Sequence, residues 1–463
     1  MNRQPAVLLL EFNELSPQLM ERWIDEGKLP NFQRLHRESQ VYLTKTEEEP
    51  PNLEPWIQWI TVHSGLSYDE HKIFHLGDGH KLEKPCLWDI LSRAGYRVLI
   101  CGSINVRYDM PLDGALLPDP WAKDVAPHPK ALMPYFRFVR RHVMDYTKDS
   151  VPMPFTDYLR FIAFMSTHGL STETVRATAA QLTSEAMGRH RWKRAVILDK
   201  LQFDLFRWYW RTIKPQFATF FLNSTAHFQH MYWRNMAPHL FKVQPSAEEQ
   251  AEHKNAILFG YQEMDKLVAR FLDLLGPHTT VVFCTALSQQ PCLRYEEQGG
   301  KVLYRPREFQ VLLEFAGVRP QSVSPVMAEQ FHLTFADERA ARDASDRLVA
   351  LRVRERQAMS AHLAGSTVFS GCQIFDQLPP DAQLTGATNG HARSFFDLFY
   401  QIEGMKSGMH HQDGMLWIRA PGRRHSVHPG RASLLSIAPT ILDMFSLSKG
   451  SYMRGTSLAG DRP

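Results

Sequence analysis

The stretch Ala6-Val7-Leu8-Leu9-Leu10-Glu11-Phe12-Asn13-Glu14 decides the fold class. Five apolar residues in unbroken succession, with no alternation, read as a strand buried on both faces, as in a parallel sheet covered by helices. The polar residues that follow, Glu11, Asn13 and Glu14, then sit at the carboxyl end of that strand, where an open parallel sheet gathers its ligands. Working outward, 17–26 and 30–39 have helical spacing. Residues 85–94 read as a helix, Gly95 as a turn and 96–101 as the next strand. Helix, glycine, strand is the signature of a doubly wound sheet. The same pattern returns with apolar strands at 217–222 and 279–284, a helix predicted over 247–275, a strand at 414–418 and a closing helix at 437–445.

At 463 residues and 44% hydrophobic content the chain can bury a large core and exceeds one ordinary domain. Residues 121–214, crowded with Phe, Tyr, Trp and Arg, read as an inserted helical cap, and 305–387 as a second insertion of mixed α/β character. This leaves 1–120, 215–304 and 388–463 as the core. Lys and Arg (53) nearly balance Asp and Glu (49), and the net charge of +4 is dispersed, so no nucleic acid partner is expected. The N-terminal apolar run is too short for a signal sequence or a membrane span. Cys86, Cys101, Cys284, Cys292 and Cys372 form no CxxC pair and no metal-finger spacing, and read as buried thiols. A cytoplasmic protein without a membrane span is expected; no feature bears on its oligomeric state.

Phosphate-loop, dinucleotide, nucleophile-elbow and HExxH signatures are absent. Four polar clusters remain. Glu11, Asn13 and Glu14 suit metal binding at a strand end, or more plainly the N-terminal dipole of the next helix. Residues 52–65 hold Glu54 and His63 beside Trp56 and Trp59, the tryptophans spaced for a core-facing helix. Beyond the strand at 217–222, Asn223 leads to His227 and His230, spaced to share one helix face. His410 and His411 are adjacent before a strand, so at most one can face an ion there.

In order along the chain, these clusters resemble the type I phosphodiesterase and nucleotide pyrophosphatase branch of the alkaline phosphatase superfamily. Glu11 to Leu15 with Gly27-Lys28-Leu29-Pro30-Asn31 is similar to that branch's opening. Trp59 to Gly65 with His71-Lys72-Ile73-Phe74, Gln229 to Trp233, His410 to Gly414, and Ile437 to Leu442 with Arg454 to Leu458 are similar to its later motifs. The resemblance implies an α/β/α sandwich around a mostly parallel sheet and two-metal phosphoryl or sulfuryl transfer through a Thr or Ser nucleophile. Four positions depart from it: Glu11 replaces the first aspartate, Pro55 stands near the nucleophile's place, Ala226 replaces another aspartate, and Thr285-Ala286-Leu287-Ser288 replaces an Asp-His pair.

The expectation is a divergent hydrolase of phosphate or sulfate esters with a reduced metal site. One divalent ion, zinc before manganese or magnesium, would be held by Glu11, His230 and His410. Glu54 and His63 would be catalytic, and Asn13, Asn223, His227 and His411 would contact a small anionic substrate, a nucleotide or sugar-linked ester. The alternative is a non-catalytic binding or assembly protein that keeps the fold and the anion pocket.

Overall fold

The computed structural model describes residues 6–122, 124–145, 154–326, 328–386, 392–402 and 404–459. Its central strand is β1 (Ala6–Phe12). The other strands that concern the site are β2 (Gln40–Lys45), β3 (Val98–Cys101), β4 (Gly114–Leu117), β5 (Phe217–Leu222), β6 (Thr279–Cys284), β7 (Ser288–Pro291), β8 (Gly408–His411), β9 (Asp413–Arg419) and β10 (Ser426–Ser433). Eight of them form one sheet in the order β10-β2-β9-β6-β1-β5-β3-β4. β1 pairs in parallel with β5 and β6, and β3 with β4 and β5, whereas β9 runs antiparallel to both β2 and β6.

Side chains of β1 alternate between two cores. Leu8, Leu10 and Phe12 pack beneath α1 (Pro17–Asp25) and α2 (Pro30–Arg37). Val7 and Leu9 pack beneath α3 (Pro55–Ser64), α4 (Leu87–Arg93) and the closing helix Ile437–Met444. Both faces are covered, which is why the strand reads as a continuous apolar run.

Between β4 and β5 the chain passes through α5 (Met133–Asp145), α6 (Phe155–Thr167), α7 (Thr172–Ala186) and α8 (Arg194–Ile213). The aromatic residues of α8 belong to the main core: Phe203 and Phe206 pack edge-on against Phe220 and Phe271. After β5 come α9 (Ser224–Met236) and, after a short helix Ala247–His253, α10 (Ala256–Leu274), two helices where one was predicted. A third core, built on Phe331, Leu333, Leu348 and Val368 and reaching from 302 to 399, packs around a four-stranded antiparallel sheet. All five cysteines are free and buried.

Candidate functional site

β1 does not end at Leu10. It pairs through Glu11, opposite Phe221 and Cys284, to Phe12, so Glu11 is an internal strand residue on the Val7 and Leu9 face. There it is fully buried. His63 Nε2 lies 2.8 Å from its Oε1, and Ser103 Oγ donates to Oε2 at 2.7 Å. Ser103 also shares a 2.7 Å hydrogen bond with Thr219. His63 is flanked by Trp59 and Trp88. The expected ligand Glu11 and the expected catalytic His63 therefore satisfy each other beneath α3. The reason is parity: an odd position of β1 faces the helix, not the rim.

Three residues on, the chain leaves the sheet. Glu14 adopts a left-handed backbone (φ 61°) that only a forced turn imposes on a non-glycine residue. Its carbonyl accepts from Gln229 Nε2 at 2.7 Å. Its carboxylate is gripped from several sides. Asn13 Nδ2 donates to Oε1 at 2.7 Å and Gln289 Nε2 to Oε2 at 2.5 Å, while His230 Nε2 and His410 Nε2 stand 3.1 and 3.4 Å from Oε2. One ligand atom each from Glu14, His230 and His410 lie within 4.8 Å of one another.

The sheet topology brings these residues together. Glu14 follows the carboxyl end of β1, and His230 rides on α9 just beyond the carboxyl end of β5. Because β9 runs backwards, its amino end lies at that same rim and carries the preceding strand β8 there. β8 pairs with β7, setting His410 opposite Gln289 and His411 opposite Ser288. Alternation then turns the two histidines apart: His411 Nδ1 accepts from the Asp413 amide at 3.1 Å and is not among the three converging residues. Gly408 permits the approach of β8, since a Cβ there would stand 2.3 Å from the Gln229 carbonyl oxygen.

Both histidines use their outer nitrogens as orienting contacts. His230 Nδ1 faces the Gly408 carbonyl at 3.4 Å, and His410 Nδ1 faces Glu54 Oε2 at 3.6 Å. Glu54 is the N-cap residue of α3, ahead of Pro55, so the acid expected to be catalytic does reach this cluster. Asn13 and Asn223 act behind it: Asn13 Nδ2 donates to Asn223 Oδ1 at 2.7 Å, and Asn13 Oδ1 accepts from Trp59 Nε1 at 2.7 Å. With all its groups engaged, Asn13 positions Glu14 rather than lining a pocket.

Burial opposes the charge on Glu14, but the imidazoles of His410 and His230 outweigh it and hold its carboxyl well below the usual carboxylate range. Burial, and then the charge of Lys406, push His230 down to about 3. For His410 burial acts the same way, yet Glu14 and Glu54 together leave it raised. Burial raises Glu54, and it lowers His227 to about 4 with the help of Lys406. Lys406 is lowered by burial and by neighbouring Lys301, whose carbonyl accepts its backbone N–H at 2.8 Å. Lys301 itself lies over the Phe375 and Tyr295 rings.

No sequence motif marks Gln289 or Lys406. Strand parity counted from Leu8 and Leu10 puts Glu11 on the opposite face of β1 and separates it from Glu14.

No family model and no curated protein sequence matches the chain. Among solved structures it is similar to murine ectonucleotide pyrophosphatase/phosphodiesterase 5 in complex with AMP, at 10% identity and a TM-score of 0.41 over 97% of each chain. It is also similar to phosphonoacetate hydrolase from Sinorhizobium meliloti 1021 in complex with phosphonoformate, at 12% identity and a TM-score of 0.42 over 96% of this chain and 95% of that one. A variant of the alkaline phosphatase PafA matches at 10% identity and a TM-score of 0.47 over 99% of each chain. All three are alkaline phosphatase-superfamily proteins.

Proposed function

We propose that the chain hydrolyses a phosphate or sulfate ester at a single divalent cation held by Glu14, His230 and His410. The observation that carries this reading is the convergence of one ligand atom each from Glu14, His230 and His410 within 4.8 Å at the rim where the parallel strands end. A carboxylate with two histidines and an open fourth position is a donor set suited to zinc, as in catalytic sites with three protein ligands. The contacts behind it also fit: a metal-binding histidine commonly has its other nitrogen engaged by a carbonyl or carboxylate, as the outer nitrogens here are by Gly408 and Glu54.

When bound, such an ion supplies Lewis-acid polarisation of the ester oxygen and acidifies a water. The chain does the rest. Asn13 and Gln289 fix the Glu14 carboxylate through separate oxygens. Glu54, at the head of α3 where no hydroxyl stands, orients His410 and is the acid best placed to accept a proton from an attacking water. Burial raises its carboxyl above the ordinary carboxylate value. Lys406 adds positive charge that favours an anionic substrate, its proximity expressed in the lowering of His230 and His227.

Inductively coupled plasma mass spectrometry on the purified chain, with a panel of p-nitrophenyl phosphate, phosphodiester and sulfate substrates, tests the reading. The expected result is about one metal per chain and turnover on one class, with both lost in His230→Ala while the fold persists by circular dichroism. Full turnover in that variant overturns the assignment. Bound metal without turnover on any panel favours instead the binding protein that the missing hydroxyl at Glu54-Pro55 would suit.

A further inference from the structure

Helix α9 is broken at one point. Tyr232, two residues after His230, leaves the helical region with φ −120° and ψ 15°. A sharp break in a helix has an identifiable cause, such as a side chain entering the ladder of backbone hydrogen bonds. Here that side chain is Ser407. Its Oγ accepts from the Arg234 amide at 3.2 Å and donates to the Met231 carbonyl at 2.9 Å. Its own amide donates to the His230 carbonyl at 2.8 Å. The Arg234 amide and the His230 carbonyl are the pair that closes one turn of a regular helix, and Ser407 meets both. The Ser407 carbonyl in turn accepts from the Cys292 amide at 2.8 Å, just past β7. Ser407 is buried, and each of its polar groups has a partner in the chain.

Ser407 also begins the segment that carries the other imidazole. Gly408, the next residue, opens β8 and turns its carbonyl to His230 Nδ1 at 3.4 Å. Further along β8 the His410 ring stands edge-on to the His230 ring, with 5.1 Å between centroids. The segment 407–410 therefore holds His230 by its backbone and by its ring while itself supplying His410.

We propose that Ser407 is a positioning residue of the candidate metal centre: its hydroxyl ties the broken turn of α9 to the start of β8 and fixes His230 and His410 relative to each other before an ion arrives. The inference rests on the reading of Glu14, His230 and His410 as metal ligands and adds a cause for their geometry. The two imidazoles come from distant parts of the chain, so they meet one ion only as accurately as α9 and β8 keep register. A serine suits this place because one short hydroxyl both donates and accepts. Alanine would keep the two backbone hydrogen bonds and lose both of the side-chain ones. Residues that orient metal ligands without touching the ion typically account for about 10–100-fold in metal affinity.

Zinc affinity measured by competition with a chromophoric chelator, together with the visible absorption of the cobalt(II)-loaded chain, tests the proposal. Ser407→Ala is expected to keep the fold by circular dichroism, to bind zinc about tenfold or more weakly and to alter the cobalt spectrum. Ser407→Thr, which restores a hydroxyl, is expected to recover the parent's affinity and spectrum. Ser64→Ala removes another buried hydroxyl, one that donates to the Ile60 carbonyl at 2.7 Å and accepts from the Leu66 amide at 3.3 Å. It is expected to leave zinc affinity and cobalt spectrum as they are in the parent. Unchanged zinc affinity in Ser407→Ala, whatever its melting temperature, overturns the proposal and leaves the metal reading standing. An equal fall in Ser64→Ala, no recovery in Ser407→Thr, or loss of the fold in Ser407→Ala overturns it as well, because the residue would then serve the fold at large. A parent chain that binds neither zinc nor cobalt removes the metal reading and this inference with it.

Discussion

Glu11 and Glu14 are one residue type, three positions apart at the end of one strand, and their surroundings differ in kind. Glu11 is sealed between sheet and helix, with one imidazole and one hydroxyl meeting its two oxygens. Glu14 lies equally deep but at the rim, where two imidazoles and two side-chain amides converge on it from four separate parts of the chain. The first arrangement is closed and joins α3 to the sheet. The second leaves imidazole nitrogens pointing at one carboxylate oxygen, a concentration of donors that a structural contact does not require. A buried acid is therefore not by itself a mark of function; what matters is whether its partners also face an open edge.

The largest expected effect separates the two acids outright. Glu14→Gln keeps the volume and removes the charge, so metal content and turnover should fall to background while circular dichroism shows the fold retained. Glu11→Gln should keep its metal in the same assay. Equal metal retention in both variants would erase the distinction between them.

A second measurement approaches from the stability side. Glu11→Ala leaves His63 and Ser103 buried without their shared partner, and removing one member of a buried pair costs about 3–5 kcal/mol. Urea denaturation should show that loss. A cost below about 1 kcal/mol would mean that the Glu11 network contributes little to joining α3 to the sheet.

A third buried acid sharpens the contrast through pH. Asp199 on α8 accepts from Ser224 Oγ at 2.5 Å, but that hydroxyl does not offset its burial, which raises the carboxyl to about 7. A raised acid favours the protonated folded state, so its contribution to stability is complete below the unfolded pKa of about 4. It is lost as pH rises to about 7 and stays lost above that. Asp199→Asn retains an acceptor for Ser224 and cannot ionise, so it should stabilise the protein above neutrality by at most about 4 kcal/mol and have little effect at acid pH. Melting curves across pH check this; the same pH profile in parent and variant would remove Asp199 as its source.

Much of the fold was legible because burial writes itself into sequence. The runs at Ala6 to Leu10, 217–222 and 279–284 are apolar without alternation since helices cover both faces of the sheet. His230 and His410 were found because each lies just beyond or before a strand at one rim, a position that strand boundaries predict. Glu11 was expected at the rim because the end of β1 was placed two residues too early, at Leu10 rather than Phe12. The strand's pairing through Glu11 is set by β5 and β6, more than 200 residues away, and β5 carries it on to Phe12. Gln289 and Lys406 carried no signal, since their roles arise only when β7 pairs with β8 and Lys406 meets Lys301.

By itself, then, the order of apolar runs, glycines and helical spacings determined an α/β chain with a mostly parallel sheet and named two histidines at its edge. Those are local properties, fixed by how a few neighbouring side chains partition between water and core. Which carboxylate those histidines meet was decided only in three dimensions. The reversal of β9, the register of β7 against β8 and the facing of Glu11 depend on pairings between distant segments, and a one-residue shift in any of them sends a side chain to the opposite face.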